Sequence, residues 1–150
     1  MNQQSKPSSS KILIVDDEPD MLEMLDMIIT DKTNHRVVTT NNPLEVGELL
    51  AKDNFNLVIT DLKMPVMDGM DVIAEVKSRD PDIPVVVITA FGTIESAEEA
   101  VRRGAYDFIT KPFRKEQILV TIDRALDWQR LVRENRELKR SRQSSTPTES

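Results

Sequence analysis

The chain has 150 residues and no cysteine. Disulfides and thiolate metal sites are thereby excluded. Long apolar runs are also missing. No stretch approaches the roughly 20 residues of a membrane span, and the N-terminus MNQQSKPSSS lacks the apolar centre of a signal peptide. Positive charge is in deficit, with 20 Lys and Arg against 26 Asp and Glu and a formal net charge of −6. That balance argues against general nucleic-acid binding. These absences leave a soluble cytoplasmic protein as the expectation. What is present is a 39% hydrophobic fraction, enough for a sizeable core, in a length suited to one domain with some extra chain.

Four short apolar runs each end in a reactive polar residue. Ile12-Leu13-Ile14-Val15 meets Asp16-Asp17, and Leu57-Val58-Ile59-Thr60 meets Asp61. Val85-Val86-Val87-Ile88 meets Thr89, and Phe108-Ile109-Thr110 meets Lys111. Runs of this length between helical patterns read as buried parallel strands. Strands are expected near 11–15, 36–40, 57–61, 85–89 and 106–110. Helices are expected near 19–30, from Asn42-Pro43 onward with Leu44 in its apolar stripe, at 70–79, at 93–103, and from Lys115 to near Arg142. The order is (βα)5. It predicts a flavodoxin-like, doubly wound parallel sheet of strand order 2-1-3-4-5. That order sets Asp16, Asp17 and Asp61 beside one another at the switch point.

Three carboxylates brought together repel, so some protonate or a cation enters. Oxygen ligands without His or Cys suit Mg²⁺ or Mn²⁺. Mg²⁺ takes few carboxylates and completes its shell with waters, carbonyls and phosphate oxygens, so the site is ready for a phosphoryl group. A carboxylate there can act as a nucleophile and form an acyl phosphate. Lys111 supplies positive charge and Thr89 a hydroxyl donor, as phosphoryl transfer requires.

The segments ILIVDDEPD, LVITDLKMPVMDGM, VVVITAFG and GAYDFITKPF, over about residues 11–126, resemble the receiver domain of bacterial two-component response regulators, the CheY-like fold. The resemblance implies that Asp61 is the phosphoacceptor. It implies that Asp17 binds Mg²⁺ directly, Asp16 through water, and Lys63 through its backbone carbonyl. Thr89 would bond a phosphoryl oxygen, Lys111 would pair with the phosphoryl group, and Lys111-Pro112 would be cis. The donor would be a sensor histidine kinase or a phosphotransfer protein. Lys63 and Phe91 occupy positions the family uses to tune phosphoryl lifetime. Thr89 and an aromatic on strand 5 would form the switch. Phe108, three residues before Lys111, is favoured over Tyr106, which strand alternation places on the same face. The readout face would be helix 4, strand 5 and helix 5. Such a chain is a signalling switch rather than an enzyme, despite catalysing its own phosphorylation and dephosphorylation.

Rival readings are weaker. An Asp-nucleophile, metal-dependent phosphatase would want a second acid where Lys63 stands. An inert dimerisation module would be expected to have lost an acid, the Thr or the Lys, and none is missing. A flavin-binding protein of the same topology would not place Asp17-Glu18-Pro19 after strand 1. His35, the single histidine, sits at a strand entrance and reads as structural.

The last helix outlasts what a receiver needs. Ile118, Leu119, Ile122 and Ala125 can cover the sheet, and then the phase changes. Trp128, Leu131, Asn135 and Leu138 follow a 3-4-3 spacing, an a-d-a-d seam with Asn135 at an a position. Glu134 and Lys139 then fall at g and e. The seam predicts a homodimer, and Trp128 is expected to be exposed on it. A helix reading RLVRENRELKR resembles the linker of NtrC-type activators, which join a receiver to an ATPase domain that activates transcription. Residues 1–10 and 143–150 read as disordered tails, residues 11–126 as the receiver and 127–142 as a helical linker. With no domain after Ser150, either an excised piece or a single-domain protein is expected.

Overall fold

The computed structural model describes residues 9–90 and 94–145. Phe91 and Thr93 lie outside the described residues, as do most of both expected tails. Five strands form one parallel sheet in the order β2-β1-β3-β4-β5. They are β1 Lys11–Val15, β2 Arg36–Thr40, β3 Leu57–Asp61, β4 Val85–Thr89 and β5 Asp107–Thr110. Alternating with them are α1 Pro19–Lys32, α2 Val46–Lys52, α3 Gly69–Arg79, α4 Ile94–Arg102 and α5 Lys115–Ser145. The central strand β3 and its neighbour β4 are buried along their whole length, which is why they are continuous apolar runs rather than alternating ones.

Side-chain alternation along the strands divides the core in two. Leu13, Val15, Val58, Val85 and Val87 face α2, α3 and α4, where Val46, Val72, Ile73, Val76 and Ala100 meet them. Ile12, Ile14, Leu57, Ile59, Val86 and Ile88 face α1 and α5, packing on Leu22, Leu25, Ile29, Ile118, Ile122 and Ala125. Both faces are thus covered, and the strand ends are left as the open edge.

Local chemistry sets the helix ends. Pro19 opens α1. Asp68 and Asp71 form a reciprocal capping box that starts α3 at Gly69. Gly104, at φ 120°, takes the left-handed turn after α4. The helix expected from Pro43 begins instead as a 3-10 turn, Pro43–Glu45, before α2. Leu44 falls in that tighter turn and is exposed, not in the apolar stripe expected for it. Tyr106 stands just before β5, so strand alternation does not apply to it. Phe108 packs with the α2–α4 face, whereas Tyr106 packs with the α1–α5 face.

Candidate phosphoacceptor site

Parallel pairing puts the C-terminal ends of β1, β3, β4 and β5 side by side. Val15 pairs with Thr60, Asp61 with Ile88, and Thr89 with Thr110. The residue after each end, or the end itself, therefore points into one edge. Carboxylate oxygens of Asp16, Asp17 and Asp61 lie within 4.8 Å of one another. Lys111 Nζ stands 3.9 Å from Asp61 Oδ1. Thr89 is fully buried at the end of β4, and its carbonyl accepts from the Lys111 backbone N–H at 2.8 Å. The Lys111–Pro112 peptide is cis. The three acids and Lys111 are thus brought together, and Thr89 stands at the neighbouring strand end.

The acids are not equivalent. Asp16 is 1% exposed. Its Oδ1 accepts from the Glu18 backbone N–H at 2.9 Å, but its buried Oδ2 has no hydrogen-bond partner among the described residues. Burial pushes its pKa up to about 6, with the Asp61 charge adding to the rise. Asp61 is also raised by burial, against the pull of Lys111 and of the Lys63 backbone N–H. A buried, unpartnered oxygen beside two further carboxylates fits a small hard cation, which would satisfy the orphan acceptor and offset the repulsion.

Asp61 is held from behind by a glycine that the sequence reading left without a role. A Cβ on Gly69 would come within 2.7 Å of the Asp61 carbonyl oxygen and 2.8 Å of Leu62 Cα. The Gly69 N–H donates to the Leu62 carbonyl at 2.8 Å. Only a residue without a side chain lets α3 begin this close to the acid. The signal was present as Asp68-Gly69 at the start of the helix. Met64 and Leu62 turn into the core from the same loop, and Met67 packs partly against it. Lys63, by contrast, faces solvent.

Far from this edge, the seam residues separate. Leu131 and Leu138 are 63% and 60% exposed, and Asn135 is exposed with them. Trp128 is half-buried, correcting the expectation of an exposed ring. It packs on Tyr106, with ring centroids 5.8 Å apart, and Lys77 Nζ lies 5.6 Å from its centroid. The helix simply stays against its own domain for longer than the sheet requires.

This fold and acidic edge define a receiver. The model of the response regulator receiver domain matches residues 12–123, and the chain belongs to that family. It is 35% identical over 132 residues to the C4-dicarboxylate transport transcriptional regulatory protein DctD of Pseudomonas aeruginosa, a match that covers 88% of this chain and 28% of DctD. The crystal structure of NtrX from Brucella abortus superposes with a TM-score of 0.83 at 34% identity, covering 87% of this chain and 30% of that one. The solution structure of the beryllofluoride-activated NtrC4 receiver domain dimer gives 0.74 at 32% identity, covering 79% of this chain and 98% of that one. The chain therefore spans less than a third of DctD and of NtrX. Among the described residues, no helix is long and apolar enough to cross a membrane.

Proposed function

We propose that this receiver is a phosphorylation switch in which Asp61 accepts a phosphoryl group from the phosphohistidine of a sensor histidine kinase or phosphotransfer protein. The observation that carries the reading is the convergence of three carboxylates within 4.8 Å, with Lys111 at 3.9 Å from Asp61. Asp16, Asp17, Asp61 and the Lys63 backbone carbonyl would hold Mg²⁺ or Mn²⁺. When bound, the cation supplies charge neutralisation for the acids and the phosphoryl oxygens. A carboxylate oxygen of Asp61 attacks phosphorus. The new P–O bond forms as the P–N bond breaks, and the electron pair leaves with the imidazole, which takes its proton from solvent. Lys111 pairs with one phosphoryl oxygen and Thr89 donates its hydroxyl to another. Attack of water on phosphorus later restores the carboxylate, so the chain times its own signal.

Drawing Thr89 toward the phosphoryl group vacates space for the half-buried Phe108, biasing a two-state equilibrium at α4, β5 and α5. The readout is homodimerisation through that face and the outward Leu131, Asn135 and Leu138. The NtrC4 receiver, solved as a dimer in its beryllofluoride-activated form, supports this reading. The output is regulation of transcription in the cytoplasm, without direct nucleic-acid contact by this segment.

The test is mass spectrometry after incubation with acetyl phosphate and Mg²⁺. Wild type gains the mass of one phosphoryl group and Asp61→Asn does not. An unchanged wild-type mass, or an equal gain in both proteins, overturns the reading.

A further inference from the structure

Beyond the sheet, α5 has no strands to lie on, and a free helical segment of this length is marginal in water. It is nonetheless held. Gln129 is buried, and its Oε1 accepts from Asn56 Nδ2 at 3.1 Å. One turn on, Arg133 Nη2 meets Asp80 Oδ2 at 2.9 Å, and Arg136 Nη2 meets Asp82 Oδ1 at 3.0 Å. Asp80 and Asp82 belong to the turn between α3 and β4, and that turn is pre-organised. The other Asp80 oxygen accepts from the Asp82 backbone N–H at 3.0 Å. Lys77 Nζ donates to the Pro81 and Ile83 carbonyls at 3.1 and 3.0 Å while lying over Trp128.

We propose that the α3–β4 turn is a clamp, in which Asp80 and Asp82 act as positioning residues that grip Arg133 and Arg136 and so fix the direction in which α5 leaves the domain. Exposed ion pairs between flexible side chains contribute little. This pair of pairs differs in two respects. The Asp80 carboxylate is set by the turn's own backbone, and the Asp82 side chain is only 9% exposed, so withdrawing Arg136 leaves a nearly buried charge. At 3.6 residues per turn, the clamped positions 129, 133 and 136 centre roughly 160° from positions 131, 135 and 138. The clamp therefore leaves Leu131, Asn135 and Leu138 free on the opposite side. Their use by a second copy rests on the dimer reading above; the clamp itself does not.

Hydrogen exchange read by mass spectrometry on the full chain tests the clamp without any phosphorylation step. Arg133→Gln/Arg136→Gln keeps helix propensity nearly constant. In this variant, amides of residues 130–140 exchange about fivefold or more faster, while β1 and β3 amides and the emission of Trp128 stay as in wild type. Raising salt from low concentration to about 1 M accelerates the same amides in wild type and leaves the variant unchanged. Unaltered exchange in 130–140 overturns the proposal, as does acceleration shared equally by the strands. Should the variant fail to fold, the wild-type salt response decides alone: its absence overturns the clamp and its presence supports it.

Discussion

Asp16 carries the sharpest conflict between stability and chemistry. Its folded pKa of about 6 lies above the ordinary 3.8, chiefly because burial penalises its charged form. Folding therefore favours the protonated carboxyl. The contribution is complete below about pH 4 and is lost as the pH rises through about 6. The upper bound on the loss is about 3 kcal/mol. Asp61 is shifted in the same direction. Thermal unfolding of metal-free protein is expected to show a Tm that falls by several degrees between pH 5 and pH 7.5. The fall should be smaller in Asp16→Asn, and Mg²⁺ should stabilise wild type more at the upper end of the range. Equal pH slopes for wild type and Asp16→Asn would show that Asp16 does not carry the effect. Gly69 makes the complementary case at the backbone. Gly69→Ala places a methyl against the Asp61 carbonyl and Leu62, which are backbone atoms with little room to yield. We expect a loss of roughly 1–3 kcal/mol in chemical denaturation together with slower acetyl phosphate labelling of Asp61. A variant as stable and as reactive as wild type would contradict the close approach.

At the scale of elements, the proposed output rests on β5 and α5. Phe108 packs toward α2–α4 and Tyr106 toward α1–α5, so the two rings report to different layers. Tyr106 leans on Trp128, which makes it part of the packing between the sheet edge and α5. Two variants separate switch from seam. With beryllofluoride and Mg²⁺, sedimentation is expected to show weaker dimerisation for both Phe108→Ala and Leu131→Lys/Leu138→Lys, each by about tenfold in Kd, or 1.4 kcal/mol. Phosphoryl uptake at Asp61 is expected to persist in both variants, since neither touches the acids. Dimerisation equal to wild type in the lysine variant would remove α5 from the interface. Equal dimerisation in Phe108→Ala would remove the aromatic from the switch.

For the whole molecule, apolar runs ending in Asp16-Asp17, Asp61, Thr89 and Lys111 were enough to read the (βα)5 order and the edge where those residues meet. The reason is physical: parallel strands buried on both faces must be apolar throughout, so whatever polar residue follows a strand stands at its C-terminal end. The heptad spacing of Leu131, Asn135 and Leu138 was legible for a similar reason, because it needs only the period of a helix. Non-local contacts were not legible. That Leu44 sits in a 3-10 turn, that Trp128 rests on Tyr106, and that Gly69 lies against the Asp61 carbonyl depend on how separate elements approach one another. So does the pairing of Arg133 with Asp80 and Arg136 with Asp82, across intervals that no local pattern spans. The sequence by itself pointed to the strand ends and the polar residues that follow them, since strand ends are a property of pattern and the order 2-1-3-4-5 is the common solution for a (βα)5 chain of this length. Only the tertiary structure decided which carboxylate is left with a buried, unpartnered oxygen, and which side of the last helix is held, because burial and charge pairing exist only once the layers have packed.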